Sequence, residues 1–489
     1  MLNIILRGHD YKYEVGELIK LFTSKFKFVD NVLDKTLLNE VQVNEHEIIS
    51  KSSIYENGII KFSHTEKKNN ILENEREEIK ELKRVIKKSM FEVLKKEYNT
   101  NVPWGILTGV RPTKIVHELL DHNKKDTEIK NILIERYKLE ENKADLVIDV
   151  AKVERKFVYP HDENKISLYV SIPFCPTRCV YCSFPSNELR QKSDIKKEYI
   201  KALIREIEGV SSIVSKLGKQ IQTIYIGGGT PTTLDENELK ILLDSLYNNF
   251  DLRYLEEFTV EAGRPDTINI EKLRVLKERN VTRISINPQT MNDITLVNIG
   301  RNHNVDDIIK AFNMARSVGF DNINMDIILG LPDETLDMVE NTLSEISKLS
   351  PESLTVHTMA VKRASKLKEN IDDYDLSHYD DIVNMIDISR KYAHKMNLYP
   401  YYMYRQKHMI GNLENIGYSK KGYECIYNIQ IMEEKQTILA LGAGATSKIV
   451  YLDENRIERV PNVKDVQSYI ERVEEMIKRK ESEVFKNAY

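Results

Sequence analysis

The stretch Ser171-Ile-Pro-Phe-Cys175-Pro-Thr-Arg-Cys179-Val-Tyr-Cys182-Ser-Phe184 holds three of the four cysteines of this chain. Thiolates this closely spaced are typical of a metal site, and a chance cluster of buried free thiols is the simpler alternative. A structural zinc site needs a fourth ligand, and the sequence has no second Cys-x-x-Cys or His-x3-His pair to supply it. Three thiolates from one short loop instead favour a 4Fe–4S cluster whose fourth iron stays open.

The composition excludes several classes of protein. The 489 residues are enough for two or three domains with an ample core. A net charge of -4, from 72 basic and 76 acidic residues, argues against a nucleic-acid-binding protein driven by overall basicity. There is no long apolar run and no signal-peptide pattern, so the sequence predicts no membrane span. Thiolates that bind iron also suit a reducing compartment, and we expect a cytoplasmic protein.

Residues 1–160 are predicted to form an α+β and helical region whose role the sequence does not reveal. The Asn57-Gly58 pair between two β-rich stretches is a strong hairpin signal. The predicted elements are strands at 3–6, 35–43 and 48–62, the last folded at the hairpin, and helices at 15–22, 73–98, 126–138 and 141–157.

A second notable stretch, Trp104-Gly-Ile-Leu-Thr-Gly-Val-Arg-Pro112, contains the only tryptophan and precedes a predicted helix. Arg111 and Lys114 lie near the N-terminus of that helix, which is a favourable position for an anion or carboxylate. A turn whose tryptophan packs into a domain interface explains the same residues, and both interpretations stay open.

Residues 161–403 alternate between predicted strands and helices, which indicates βαβ units around a parallel sheet. The polar and glycine-rich motifs follow the strands, where a parallel sheet gathers its ligand-binding loops. The predicted strands are Ser167–Ile172, Thr223–Ile226, Phe258–Glu261, Arg283–Ile286, Asn322–Ile328 and Ser353–Thr358. Residues 404–489 are predicted to form a mainly helical segment that closes the site.

The motifs that accompany the cysteine stretch are spread over residues 165–450. They are Tyr169-x-x-Ile-Pro-Phe-Cys175, Gly227-Gly-Gly-Thr-Pro-Thr232, Val260-Glu261-Ala-Gly, Pro288-Gln289-Thr, Gly300-Arg301-Asn-His303, Asn324-Met-Asp326-Ile-Ile-Leu-Gly330-Leu-Pro332 and Gly442-Ala-Gly-Ala-Thr-Ser447. Together they resemble the oxygen-independent coproporphyrinogen III oxidase (coproporphyrinogen dehydrogenase) family of the radical S-adenosylmethionine superfamily. The Trp104–Pro112 stretch resembles the end of the added N-terminal region in the branch found in Gram-positive anaerobes.

The resemblance implies an α/β fold built on a partial (β/α)6 barrel, and two cofactors, a 4Fe–4S cluster and S-adenosylmethionine. It also implies a role for each matching residue. Cys175, Cys179 and Cys182 would hold the cluster, and Tyr169 would be a catalytic residue in contact with S-adenosylmethionine. Gly228, Gly229 and Thr230 would hold the methionyl part, Glu261 and Gln289 the adenosyl part or the amine, Arg301 the carboxylate and Asp326 a ribose hydroxyl.

The activity implied by the resemblance is oxidative decarboxylation of two propionates of coproporphyrinogen III to vinyl groups, giving protoporphyrinogen IX. A 5'-deoxyadenosyl radical would start the reaction, and an electron donor and an electron acceptor would be partners. A tetrapyrrole with four carboxylates needs cationic anchors. The candidates by position are Arg178, Arg264, Lys362 and Arg363, and the same basic residues could equally face solvent.

Two residues depart from the family pattern. Members with established dehydrogenase activity carry histidine at the position of Ser171 and a fourth cysteine at that of Phe184, and the phenylalanine also resembles the related haem chaperones. One alternative function is therefore that of a haem carrier, for which His303 and His357 are the histidines nearest the strand ends. Another alternative is a different radical reaction on a tetrapyrrole. Cys425 could return to the site, although a buried structural thiol is the simpler expectation.

Overall fold

The computed structural model describes residues 1–45, 47–69, 75–109, 111–183, 187–188, 193–360, 379–406 and 413–486. Three residues that the sequence singled out, Phe184, Lys362 and Arg363, lie outside these ranges. The chain divides into two compact units, Met1–Ala151 and Lys152–Tyr489.

The first unit is an α+β fold around one five-stranded sheet. Its elements, together with the helix that continues into the second unit, are β1 (Leu2–Arg7), α1 (Lys12–Ile19), β2 (Phe26–Phe28), β3 (Lys35–Val43), β4 (Glu47–Glu56), β5 (Ile59–Asn69), α2 (Glu75–Tyr98), α3 (Thr113–Asp121), α4 (Asp126–Tyr137) and α5 (Glu141–Val158). The strand order is β2-β1-β3-β4-β5, with β1 parallel to both neighbours and the rest antiparallel.

Local sequence explains the elements of this sheet. Asn57 and Gly58 join β4 to β5 with backbone φ angles of 53° and 79°, the positive values that a two-residue hairpin turn requires. The apolar stripe of α2, which includes Met90 and Leu94, packs with Leu37 and Ile54 of the sheet. The predicted hairpin and helix are therefore confirmed.

The second unit is built on one long mixed sheet. Its elements are β6 (Lys165–Ile172), β7 (Phe174–Cys175), β8 (Asn187–Glu188), α6 (Ser193–Leu217), β9 (Gln220–Gly228), α7 (Glu236–Asn249), β10 (Glu257–Glu261), α8 (Ile270–Glu278), β11 (Arg283–Ser285), α9 (Asp293–Asn298), α10 (Val305–Ser317), β12 (Ile323–Leu329), α11 (Leu336–Leu349), β13 (Ser353–Thr358), α12 (Tyr379–Lys395), β14 (Tyr399–Arg405), β15 (Glu414–Ser419), α13 (Ile426–Glu433), β16 (Ile438–Leu441), β17 (Thr446–Tyr451), β18 (Arg456–Pro461), α14 (Val466–Glu471) and α15 (Val473–Val484).

Six neighbouring strands of this sheet, β6-β9-β10-β11-β12-β13, are all parallel. At least one helix lies between each of these strands and the next of the six, as the alternation in the sequence predicts, and the short strands β7 and β8 also lie between β6 and α6. These are the six strands predicted from the sequence, so the α/β fold with its βαβ repeats is confirmed. Because parallel strands all end at the same edge, the loops after them share one side of the sheet.

The C-terminal segment differs from the prediction of a mainly helical closure. It contributes β15 antiparallel to β13, and β16 parallel to β6, at the two ends of the parallel strands. β17 and β18 extend the sheet further beyond β16. The strands β15 and β16 are buried along their whole length, and a short buried stretch of this kind cannot be told from a buried helix by its sequence pattern alone. None of the helices in the described ranges is both long and apolar enough to cross a bilayer.

Candidate active site

The loops after the six parallel strands surround a cavity of about 410 Å³. Ten of the eleven site residues expected from the sequence line it, although they come from five different parallel strands or the loops after them. They are Cys175, Cys179, Cys182, Gly228, Gly229, Thr230, Glu261, Gln289, Arg301 and Asp326. The strand order therefore gathers the residues in one place, while the role of each remains a prediction.

The cysteine loop is held by contacts with the loop that follows α9. The Val180 amide donates to Ile299 O at 3.1 Å, and the Thr177 hydroxyl donates to Gly300 O at 3.0 Å. Within the loop, the Cys182 amide donates to Cys179 O at 3.1 Å. This tight turn lets three cysteines from eight residues of chain face the same cavity.

The surroundings of the three thiols fit an iron–sulfur cluster. None of the three forms a disulfide. Arg264 lies 3.9 Å from the Cys179 sulfur through Nη1, and the Thr230 hydroxyl lies 3.5 Å from the Cys175 sulfur. Hydrogen bonds to the sulfurs and a nearby cation stabilise thiolates bound to iron.

The glycine turn after β9 lies directly against the strand that leads to the cysteines. The amides of Gly229 and Thr230 donate to Ile172 O and Phe174 O at 2.8 and 2.7 Å. A Cβ added to Gly229 would stand 2.6 Å from Phe174 O. Only glycine permits this close approach of two backbones, which leaves the turn facing the cavity.

Glu261, at the end of β10, is held by a neighbouring tyrosine. The Tyr225 hydroxyl donates to its Oε1 at 2.6 Å. Burial raises the pKa of Glu261 to about 7, with a smaller contribution from the negative charge of Asp326, while the hydrogen bond from Tyr225 lowers it. Glu261 can therefore switch between a neutral acid and a charged acceptor near neutral pH.

Two side chains place unpaired polar atoms at the cavity. Gln289 has a positive φ of 67°, and its buried Oε1 has no hydrogen-bond partner among the described residues. Arg301 donates from Nη1 to Asn287 O at 2.6 Å and from Nη2 to the Tyr181 hydroxyl at 3.2 Å, whereas its Nε has no partner there. Buried polar atoms are ordinarily paired, so these two fit a site that binds a polar ligand.

Asp326, in β12, is surrounded by groups that favour its charged form. Burial raises its pKa, but His357 and Asn324 outweigh that effect and the net pKa is lowered. Asn324 Nδ2 donates to its Oδ1 at 2.7 Å, and His357 Nε2 lies 3.8 Å from its Oδ2. A charged carboxylate can accept hydrogen bonds from a ribose diol.

Tyr169 is the expected site residue that is not among those lining the cavity. Its ring lies in a stack with Tyr225 and Tyr427, at centroid distances of 6.2 and 6.0 Å. Burial raises the pKa of its phenol, which stays protonated at neutral pH. The predicted contact between Tyr169 and S-adenosylmethionine therefore stays a prediction.

The remaining residues singled out in the sequence occupy different places. Arg178 and Arg264 line the cavity, whereas Cys425 and His303 do not. Cys425 is buried, and its thiol donates to Glu257 Oε1 at 3.2 Å. Ser171 does not line the cavity either, and its hydroxyl donates to Ala443 O at 3.0 Å.

Sequence reasoning missed Tyr225, Asn324 and Tyr404, all of which line the cavity. Asn324 precedes Asp326 by two residues. Since side chains two apart in a strand share a face, this spacing could have identified Asn324. No such spacing marks Tyr225, because Gly227 is not among the residues that line the cavity. Tyr404 belongs to β14, which the sequence did not place beside the parallel strands.

Comparisons with known proteins agree with this site. The radical SAM superfamily profile matches residues 169–346. The oxygen-independent coproporphyrinogen-III oxidase-like protein HemZ of Bacillus subtilis is 39% identical over 405 residues, which cover 82% of this chain and 80% of that protein.

More distant relatives match a smaller part. The haem chaperone HemW of B. subtilis is 39% identical over 197 residues, covering 40% of this chain and 51% of that protein. The oxygen-independent coproporphyrinogen III oxidase of Escherichia coli is 31% identical over 202 residues, covering 41% and 43% of the two chains.

The fold is also that of a solved radical SAM enzyme. The structure of E. coli coproporphyrinogen III oxidase, HemN, superposes with a TM-score of 0.52 at 23% identity, over 67% of this chain and 73% of that one. The superfamily uses a 4Fe–4S cluster and S-adenosylmethionine, which are the cofactors of this chain. The thiol set, the fold and the extent of the match to HemZ together lead to one conclusion: the chain belongs to the oxygen-independent coproporphyrinogen III oxidase-like family of the radical SAM superfamily.

Proposed function

We propose that this chain catalyses the oxygen-independent oxidative decarboxylation of two propionates of coproporphyrinogen III, giving protoporphyrinogen IX. The observation that carries the proposal is the 39% identity to a coproporphyrinogen-III oxidase-like protein across four-fifths of both chains. The cavity supports it, because thiols, a glycine turn and polar side chains of suitable chemistry converge there.

In this proposal Cys175, Cys179 and Cys182 bind the cluster. The bound cofactors together supply a 5'-deoxyadenosyl radical that removes one hydrogen atom from the substrate. The glycine turn at Gly228–Thr230 holds the methionyl part, which can approach the backbone closely because Gly228 and Gly229 carry no side chain. Arg301, whose Nε has no partner among the described residues, donates to the carboxylate of that group.

Other residues orient the nucleoside end. Glu261 accepts from the amine or the adenine in its charged form, and Tyr225 holds that carboxylate in place. Gln289 uses its unpaired Oε1 as an acceptor, and Asp326 accepts from the ribose diol. Holding the nucleoside at several points fixes the position of its reactive carbon relative to the substrate.

The reaction balances for each propionate. The carbon β to the carboxyl loses a hydrogen atom, and the bond to the carboxyl carbon then breaks to release carbon dioxide. One further electron leaves to an acceptor as the vinyl group forms. Each catalytic turnover also uses one electron from a donor. The chain therefore needs both an electron donor and an electron acceptor as partners.

A second function, haem binding by a carrier, is favoured by the 39% identity to the haem chaperone HemW over 197 residues. That match covers about half of the chaperone. The two functions differ in whether coproporphyrinogen is consumed.

The test is anaerobic. The reconstituted protein is mixed with reductant, S-adenosylmethionine, coproporphyrinogen III and an electron acceptor, and tetrapyrrole masses are followed together with 5'-deoxyadenosine. The proposal expects two successive steps, and in each of them the tetrapyrrole loses one carbon dioxide and two hydrogens. Cleavage of S-adenosylmethionine with an unchanged tetrapyrrole would overturn it, and a stoichiometric haem Soret band in parallel would favour the carrier.

A further inference from the structure

The residues expected to hold the cofactors follow one another along the sheet in strand order. The cysteines come after β6, the glycine turn after β9, Glu261 ends β10, Gln289 follows β11, and Asp326 lies in β12. In the proposed function the cofactors therefore extend from the cluster beside β6 to the ribose beside β12. The next parallel strand, β13, lies beyond the ribose, on the side left for the substrate.

The cavity wall at that end is formed by β13, β14 and the start of β15. Tyr402, Tyr404 and Asn415 line it, and they are neutral at physiological pH. Within the described part of this wall, His357 is the lining residue that can carry a positive charge. A tetrapyrrole with four propionates is negatively charged. His357 is therefore the residue of this wall that can complement the charge of the substrate.

The contacts of His357 leave one ring nitrogen available. The Tyr404 hydroxyl lies 3.3 Å from Nδ1. Nε2 lies 3.8 Å from Asp326 Oδ2, which is close enough for His357 to lower the pKa of Asp326 but longer than an ordinary hydrogen bond. The side chain is 28% exposed. The imidazole is therefore oriented by Tyr404 on one side, and its Nε2 faces the aspartate expected to bind the ribose without a short hydrogen bond to it.

We propose that His357 binds a propionate carboxylate of the tetrapyrrole substrate, next to the ribose end of S-adenosylmethionine. The inference rests on the proposed function, of which it names one substrate contact. Asp326 holds the ribose and His357 the carboxylate, so the carbon β to that carboxyl is brought near the 5' carbon. The histidine thus selects a side chain that ends in a carboxylate.

The test measures binding rather than turnover. The full chain, with its cluster reconstituted and S-adenosylmethionine bound, is titrated with coproporphyrin III, which carries the same four propionates, and porphyrin fluorescence is followed. His357→Gln should weaken porphyrin binding about 10-fold through the loss of a charge-assisted hydrogen bond. His357→Arg, which restores a cation, should recover most of the affinity. His394→Gln, at an exposed histidine of α12, is the matched control and should bind as the wild type does.

Each outcome decides the proposal. Equal porphyrin affinity in wild type and His357→Gln overturns the role of His357 and leaves the proposed function standing. Weaker binding of S-adenosylmethionine with unchanged porphyrin affinity assigns His357 to the nucleoside site instead, and also overturns it. If the wild type binds no coproporphyrin, the proposed substrate class and the His357 contact fail together.

Discussion

The Tyr225 hydroxyl donates a 2.6 Å hydrogen bond to Oε1 of Glu261, joining two strands at the cavity. The Tyr225 ring stacks on Tyr427 at a centroid distance of 4.5 Å, so helix α13 supports the tyrosine from behind. A buried carboxylate whose pKa is about 7 is thereby kept in one orientation. The first prediction tests this bond.

Tyr225→Phe should weaken binding of S-adenosylmethionine about 10-fold at pH 7, because a hydrogen bond to a charged group is lost. Burial raises the pKa of Glu261, and the bond from Tyr225 opposes that rise. Without the bond the pKa rises further, so the charged acceptor forms only at higher pH. The pH at which the affinity for S-adenosylmethionine reaches half its maximum should therefore move upward. Equilibrium dialysis between pH 6 and 9 measures this midpoint.

Tyr427→Phe is the matched control, since it keeps the stacked ring and leaves the Tyr225 hydroxyl intact. It should keep the wild-type midpoint. If both variants moved the midpoint equally, the hydrogen bond would not be the cause.

Cys179→Ala should abolish the absorbance of the cluster and reduce cleavage of S-adenosylmethionine below detection, because two thiolates cannot hold the cluster in place of three. Far-UV circular dichroism should be unchanged. Cys425→Ser should keep both the cluster and the cleavage, since Cys425 does not line the cavity. Intact cleavage in Cys179→Ala would refute the ligand assignment.

Gly229→Ala should lower the affinity for S-adenosylmethionine about 10-fold or more. The new Cβ would meet Phe174 O at 2.6 Å and Ile172 O at 2.9 Å, and such overpacking costs about 1–3 kcal/mol. Gly16→Ala in α1 is the control, because its Cβ would meet Phe26 at an ordinary 3.7 Å. Wild-type affinity in Gly229→Ala would show that the turn does not hold the ligand.

Lys480→Met should lower the free energy of unfolding by about 3–5 kcal/mol, because it leaves Glu206 as an unpaired buried charge. The pair is fully buried, with 2.7 Å between Lys480 Nζ and Glu206 Oε1. Urea denaturation followed by circular dichroism measures the effect. Lys478→Met, at an exposed lysine of the same helix, should change the free energy of unfolding by less than about 0.5 kcal/mol.

In that experiment, adding Glu206→Gln to Lys480→Met should recover part of the loss, since the buried charge disappears. The same carboxylate also accepts from the Gly442 amide at 2.7 Å and the Tyr469 hydroxyl at 2.6 Å. A change in Lys480→Met no larger than in Lys478→Met would mean that the pair does not stabilise the C-terminal segment.

Much of the fold could be predicted because its signals are local. The six parallel strands are short stretches between helical patterns, and the Asn57-Gly58 turn carries its own conformational preference. The C-terminal strands could not be predicted in the same way. β15 and β16 form by pairing with β13 and β6, far away in sequence, and their burial depends on those partners.

The sequence by itself determined the cofactor chemistry, since three thiols within one short loop and a glycine turn are properties of contiguous chain. Tertiary structure alone decided which side chains meet as partners. Tyr225 meets Glu261 across 36 residues, and Lys480 meets Glu206 across 274. His357 comes beside Asp326 only through the register of β12 against β13. Such partners depend on strand order and packing, which no local spacing encodes.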